Sequence, residues 1–482
     1  MDQISEVKNV DKLPILPQGW AWVQLGDVAE YINGRAFKPT DWETSGRPII
    51  RIQNLTSSKE TINRYSLPID EKFLIKDGDL LISWSATLGA FIYKGEEAVL
   101  NQHIFKVKPY IDKLFLFYLV TTYIASLKKE VHGTGMQHIT KGKFEESPIP
   151  LPPAPEQIRI VSKIEELLTE LDAGVASLKK VQAQLKRYRH AVLKAAFEGR
   201  LTQEWREDHE GEIECNDVII FKADDSQKCT NLAEGWVWTK VEKFGEVIGG
   251  LTKNQNRSSY SLKLPYLRVA NVYSNRIDLS DIVEIGVKES ELNRLLLERG
   301  DLLVVEGNGS LEQIGRVAIW EGQIAPCVHQ NHIIKIRLNP KVSGKYVLYW
   351  LISQDGRQEI TNVASSTSGL YTLSISKVQS LNVPLANFSE QIQIVTEIER
   401  HFSQIDHLEH TITTSLRQAE TLRQSILKRA FEGKLVPQDP NDEPASILLE
   451  RIKAEKSRYA AEVKKGKTLQ PKSPKRKIKN AN

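Results

Sequence analysis

Cysteine is nearly absent from this sequence: Cys215, Cys229 and Cys327 are the three in 482 residues. None stands at a metal-ligand or disulfide-framework spacing. That excludes a disulfide-stapled scaffold and predicts a reducing interior. Long apolar runs are missing as well. The longest, LFLFYLV from Leu114, falls far short of the ~20 residues a membrane helix needs. The opening residues, MDQISEVKNVDKLP, lack the apolar core of a secretory signal. The expectation is a cytoplasmic protein with no membrane attachment.

Catalytic signatures are equally scarce. No G-x-x-x-x-G-K-[ST] phosphate loop appears, which argues against an ATP-driven motor in this chain. Neither G-x-G-x-x-G after a strand nor a G-x-S-x-G elbow is present. The Asn/Asp-Pro-Pro-aromatic tetrapeptide of amino-methyltransferases is missing too, since leucine precedes Pro152-Pro153. His329-Gln330-Asn331-His332 has no neighbouring carboxylate or cysteine cluster to make it a metal site, and His407 and His410 read as solvated helix residues. No catalytic or metal site is expected.

A strong excess of charge of one sign is lacking overall, at +4 net. It is present locally: residues 451–482 carry twelve Lys/Arg against Glu455 and Glu462, so the tail holds +10 and the rest −6. Any nucleic-acid contact made by the body must therefore use local patches rather than bulk charge.

What the sequence does have is a duplication. AAFEGRL at 195–201 returns as RAFEGKL at 429–435, and 429 − 195 = 234. EQIRIVSKIE from Glu156 returns as EQIQIVTEIE from Glu390, again 234 residues on, with seven of ten positions identical. Upstream the match is fainter and the offset smaller. GWAWVQLGDV at Gly19 pairs with GWVWTKVEKF at Gly235 (216), RIQN at Arg51 with RVAN at Arg268 (217), and GDLL at Gly78 with GDLL at Gly300 (222). The second copy has thus gained residues between strand-like anchors, where loops tolerate insertion.

Each copy reads as a mixed α/β unit followed by a long helix, an α+β chain overall. RPIIRIQNL, DLLISW, AFIYKG and HIFKVKP predict strands, as do their partners LPYLRVANV, DLLVVEG, RVAIWEG and HIIKIRL. DKLFLFYLVTTYIASLKKEV and GKYVLYWLISQDGRQEI predict helices, and the proline cluster PIPLPPAPEQ is expected to end the first unit. In the long helices Val161, Ile164, Leu168, Leu171, Val175, Leu178, Leu185, Tyr188 and Val192 keep a three–four alternation, broken only where Gln182 takes a seam position. Val395, Ile398, Phe402, Ile405, Ile412, Leu416, Ala419 and Ile426 do likewise, with Glu409 and Arg423 as the breaks. That spacing predicts two helices packed along a seam. Joined through a whole domain, they are expected to form an antiparallel coiled coil with a pseudo-twofold internal repeat. Gly199 and Gly433 are placed to accept positive φ at the helix ends.

The organisation expected is an N-terminal extension (1–18), a first reader-sized domain (19–150), a first long helix (151–201) and an acidic flexible linker (202–234). A second domain (235–384), a second long helix (385–435) and a C-terminal helix with a basic tail (436–482) complete the chain.

The Gly-Trp-x-Trp unit, PLPP-x-x-EQ-x-x-IV, long helix and A-x-EG-[RK]L, repeated twice, resemble the specificity subunits of type I restriction–modification systems. GKLVPQDPNDEPASILLERI resembles their C-terminal segment. The resemblance implies a non-catalytic subunit with two target recognition domains, each reading half of a split, asymmetric double-stranded DNA site. It implies two methyltransferase subunits as partners, with S-adenosylmethionine bound on them, and two restriction subunits carrying ATP and Mg. On this chain itself no cofactor is expected. A subunit of another restriction class, with one fused nuclease–methyltransferase partner, and a two-headed scaffold that binds no DNA are the alternatives.

Base edges are read by Arg/Lys on guanine and Asn/Gln on adenine, with hydroxyls and amides on phosphates. In the first domain the candidates are Asn33, Arg35, Lys38, Gln53, Asn54, Trp84, Ser85, Gln102, His103, Thr134, Gln137 and His138. In the second they are Lys253, Asn254, Asn256, Arg257, Asn271, Asn308, Gln330, Asn331, Ser366 and Thr367.

Overall fold

The computed structural model describes residues 13–57, 61–84, 87–130, 140–209, 232–367 and 369–468. The chain divides into two compact units, residues 1–177 with 415–482 and residues 178–414. Each holds one globular domain and one half of each long helix, so the structural unit is not the sequence repeat.

The frame of the two domains is the same. In the first, Ala29–Asn33, Ile104–Pro109, Leu80–Ser83 and Gly89–Ile92 lie side by side in that order as an antiparallel sheet. In the second the order is Gly245–Gly249, Ile333–Leu338, Leu302–Val305 and Val317–Ile319. Leu80–Ser83 and Leu302–Val305 are buried at every position, as the apolar runs Leu80–Ile82 and Leu302–Val305 require of a strand covered on both faces. A second, smaller sheet in each domain has one parallel pair, Ile49↔Val99 in one and Tyr266↔Val328 in the other.

Three elements depart from the sequence reading. Strand Arg47–Ile50 stops before RIQN, because the Asn54 side chain accepts the Arg51 N–H at 3.0 Å and closes a helical turn; Asn271 does the same for Arg268 at 2.8 Å. GKYVLYWLISQDGRQEI is two helices, Gly344–Ile352 and Gln354–Val363, because Ser353 caps the second by accepting the Gly356 N–H at 3.1 Å. Pro148–Leu151 pairs with Ala21–Gln24 rather than ending the strand order. Its prolines alternate, at Pro148 and Pro150, so their missing donors fall on one edge of a two-stranded ladder. Val237–Lys240 pairs with Asn382–Leu385 in the same way.

The long helices run Ala154–Phe197 and Phe388–Phe431, 44 residues each. In the first unit Arg423 pairs with Asp172; in the second Arg189 pairs with Asp406. Each pair joins one long helix to the other within its own unit. Ile164, Leu168, Leu185, Ile398, Phe402, Ile405 and Ile412 are buried along the seam. Tyr188 is not: it stays 45% exposed, its hydroxyl 3.1 Å from His401 Nδ1, because the Arg189 guanidinium covers the Phe402 ring beside it at 4.6 Å.

Both helices end alike. Gly199 (φ 71°) and Gly433 (φ 67°) turn the chain back, and Arg200 and Lys434 donate their N–H groups to the carbonyls of Ala195 and Arg429. The segment beyond each end docks onto the start of the other helix. In the second unit buried Glu390 accepts from Trp236 Nε1 at 2.9 Å and Thr202 Oγ1 at 2.8 Å and pairs with Arg206. In the first, buried Glu156 accepts from Trp20 Nε1 at 3.0 Å and Gln438 Nε2 at 3.2 Å. The stretch from Thr202 to Arg206, expected within a flexible linker, is therefore anchored; residues 210–231 lie outside the described residues.

Candidate nucleic-acid interface

Strand ends at one edge of the larger sheet in each domain gather several of the expected polar residues. The geometry there is set by a glycine at equivalent positions. A Cβ on Gly34 would sit 2.1 Å from the Asn101 carbonyl oxygen, and one on Gly250 2.2 Å from that of Gln330. This close approach lets Arg35 and Leu251 form isolated parallel bridges to Asn101 and Gln330. The turns Asn101–His103 and Gln330–His332 are thereby held against the ends of Ala29–Asn33 and Gly245–Gly249.

In the first domain Trp84 Nε1 donates to Asn33 Oδ1 at 3.1 Å, and the Trp84 ring lies edge-on to His103 at 4.8 Å. His103 holds φ 71°, and its Nδ1 has no partner among the described residues. Asn33 and Gln102 are exposed. Arg35 is half-buried, its guanidinium 5.1 Å from the Phe37 ring centroid and 5.0 Å from that of Tyr65, whose hydroxyl it meets at 2.8 Å. Lys38 is exposed on a short helical turn, and Gln53 is exposed on the turn that Asn54 closes. Ser85, Thr134, Gln137 and His138 lie outside the described residues.

The second domain puts different chemistry on the same frame. The place of Trp84 is taken by Glu306, and that of His103 by His332: Trp84 and Glu306 donate their N–H groups to the carbonyls of His103 and His332. The Glu306 carboxylate is 2.8 Å from His332 Nδ1. Gln330 Oε1 accepts the Val269 N–H at 3.2 Å, while Asn331 lies half-buried beside His332. Lys253, Asn254 and Asn256 are exposed, Asn308 is half-buried, and Ser366 is exposed on a short strand; the Thr367 side chain lies outside the description.

Two expected contact residues are consumed inside the domain instead. Arg257 is 9% exposed; it pairs twice with Glu291 at 3.0 Å and donates to the carbonyls of Thr252 at 2.7 Å and Gly286 at 3.3 Å. Asn271, 3% exposed, donates to the carbonyls of Asp278 and Asp281. Their sequence surroundings look like polar loops, but these are loops whose own carbonyls need donors.

Ionisable side chains are buried or half-buried within both domains. Lys335 donates to the carbonyls of Arg294 and Leu296, and burial pushes it down to about 8. Lys106 occupies the same place in the first domain, donating to the Leu74 carbonyl at 2.6 Å. Burial pushes His329 down to about 4, so it is neutral at physiological pH. The described residues hold no group of three or more His, Cys, Asp or Glu able to bind a metal, and no helix among them is long and apolar enough to cross a membrane.

A model of the "Type I restriction modification DNA specificity domain" matches residues 17–187 and again 233–418. The chain belongs to that family. The two matches begin 233 − 17 = 216 residues apart, the offset of the Gly-Trp-x-Trp repeat. The EcoBI specificity subunit of Escherichia coli is 26% identical over 474 residues, covering 93% of this chain and 95% of that one. The EcoKI specificity subunit of Escherichia coli strain K12 is 28% identical over 477 residues, covering 92% and 96%. The HsdS subunit of Thermoanaerobacter tengcongensis shares the fold, with TM-score 0.54 at 18% identity over 88% of this chain and 99% of that one. The chain is thus a type I specificity subunit in sequence and architecture.

Proposed function

We propose that each globular domain reads one half of a split, asymmetric double-stranded DNA site. The chain itself carries out no catalysis. The observation that carries this reading is one frame with two chemistries. The same strand order and the same glycine-pinned turn present Asn33, Trp84 and Gln102 in one domain and Gln330, Asn331 and Glu306 in the other. Amides suit adenine, and a carboxylate suits the amino group of cytosine. Identical frames with different reading groups would produce two half-sites of different sequence.

In this reading the partners are two methyltransferase subunits with S-adenosylmethionine, and two restriction subunits supplying ATP and Mg chemistry, all in the cytoplasm. An adenine flipped from each half-site would be methylated on the partner, since a paired and stacked adenine cannot enter an active-site pocket. The test is co-expression with an adenine methyltransferase subunit encoded beside it, in a host without adenine methylation, followed by single-molecule mapping of N6-methyladenine. A split motif methylated once on each strand, and absent without this chain, is expected. An intact, cofactor-loaded complex that methylates no such motif would overturn the reading.

A further inference from the structure

The second domain carries an exposed arrangement that the candidates above do not include. Val272–Tyr273 and Arg276–Ile277 form a short hairpin whose cross-strand register sets Tyr273 opposite Arg276. The hairpin lies against the edge strand Val317–Ile319, to whose Val317 carbonyl Asn275 donates its N–H at 2.8 Å. Tyr273 stands 40% exposed. The Arg276 guanidinium lies 4.6 Å from its ring centroid, and that of Arg316, beside the same edge strand, 5.8 Å. The hairpin and the residue just before the edge strand thus carry an Arg–Tyr–Arg row.

No ion pair is formed by Arg276 or Arg316 among the described residues, and Arg316 Nε is buried without a partner there. The two acids that follow the hairpin offset at most one of the two charges. Asp281 is taken up by Arg268. Asp278 is held below its ordinary range first by Ser280, with Arg276 adding to the effect. Two like charges side by side on a protein surface repel unless an anion joins them.

The row is also continuous with the interface. Arg316 donates to the Val269 carbonyl at 3.4 Å, and the Val269 N–H is the donor to Gln330 Oε1. One residue therefore separates the row from the turn that carries Gln330 and Asn331.

We infer that Tyr273, Arg276 and Arg316 form a clamp for the phosphate backbone of duplex DNA beside the second half-site. The inference rests on the DNA-reading function proposed above. Phosphate rather than base is the target for a geometric reason. Arg316 is tied both to the ring and to the Val269 carbonyl, and Arg276 lies on a two-residue strand rather than at a loop tip. Such short-tethered guanidinium groups serve a surface oxygen better than a base edge deep in a groove. Stacking on tyrosine also limits the rotamer freedom an arginine loses on contact.

The test uses the full chain with its methyltransferase partner, and duplexes with the mapped motif or a scrambled one. Arg276→Ala should weaken both duplexes by the same factor, about 3- to 10-fold near physiological salt. The slope of log affinity against log salt should become shallower by about one. Arg276→Lys should restore the slope, and Arg316→Ala should reproduce the alanine result. The mapped motif should be unchanged in both halves. Wild-type affinity and slope in both alanine variants would overturn the clamp while leaving the DNA-reading function intact. A relaxed second half-site would overturn it in favour of base reading. Failure of the unmodified complex to prefer its motif would overturn the function on which the clamp rests.

Discussion

Arg257→Ala should damage the fold of the second domain without changing which bases are read. The guanidinium bridges three segments: the Thr252 carbonyl, the Gly286 carbonyl and both Glu291 oxygens. Its proximity holds the Glu291 carboxyl down to about 2, from 4.5. At about 1.4 kcal/mol per pH unit that difference is worth roughly 3 kcal/mol. About a quarter of the Glu291 side chain remains in water, and screening reduces the figure to about 2 kcal/mol. Because the folded pKa is depressed, this stability is fully present above pH 4.5 and is lost as pH falls from there towards about 2. Arg257→Ala also leaves two carbonyls without their donor, so it should cost about 3 kcal/mol, against about 2 for Glu291→Gln. Amide hydrogen exchange reads this directly. Protection across Gln255–Ser259 and Val283–Gly286 should drop about 30-fold or more at neutral pH, and the wild type should show a comparable drop on acidification. At a temperature where the variant remains folded, its methylated motif should equal that of the wild type. Unchanged protection together with an altered second half-site would refute this assignment and return Arg257 to the DNA surface.

Other perturbations have equally definite outcomes. Gly34→Ala and Gly250→Ala, with Cβ atoms placed about 2 Å from a carbonyl oxygen, should each cost at least about 2 kcal/mol. Each should lose one half-site only, read as hydrogen exchange in its own domain and as motif mapping. Glu390→Ala strands the buried end of Arg206 and should expose residues 202–209 to limited proteolysis; equal resistance would contradict the anchoring role. Glu156 behaves oppositely to Glu291: burial raises its carboxyl, so its charged form costs stability as pH rises above 4.5. Glu156→Gln should therefore flatten that pH dependence in urea unfolding and leave neutral-pH stability equal or higher. Arg423→Ala removes a solvent-exposed pair with Asp172 and should change stability by less than about 1 kcal/mol.

The long helices were legible because their signal is local and periodic: Ile164, Leu168, Ile398 and Phe402 fall where 3.5-residue spacing puts them, and Gly199 and Gly433 take the positive φ their motif demands. Tyr188 misled because its neighbour Arg189 covers the Phe402 ring, while Tyr188 stays exposed against His401. The exchange of helix ends was hidden, since Glu156 finds Gln438 across 282 residues of sequence. In the interface, exposure could not be read from residue type. Arg257 and Asn271 sit in stretches as polar as any loop, yet each satisfies backbone carbonyls that only the folded turn creates. Tyr273 and Arg276 escaped notice for the converse reason: a two-residue strand leaves no periodicity to detect, and Arg316 joins them from forty residues on in the sequence.

That each domain reads its own half of one site is tested by exchanging residues 235–384 for the corresponding domain of another family member and mapping N6-methyladenine in the resulting complex. A motif with its second half replaced and its first half unchanged is expected. Alteration of both halves, or of neither, in a complex that still methylates would contradict it.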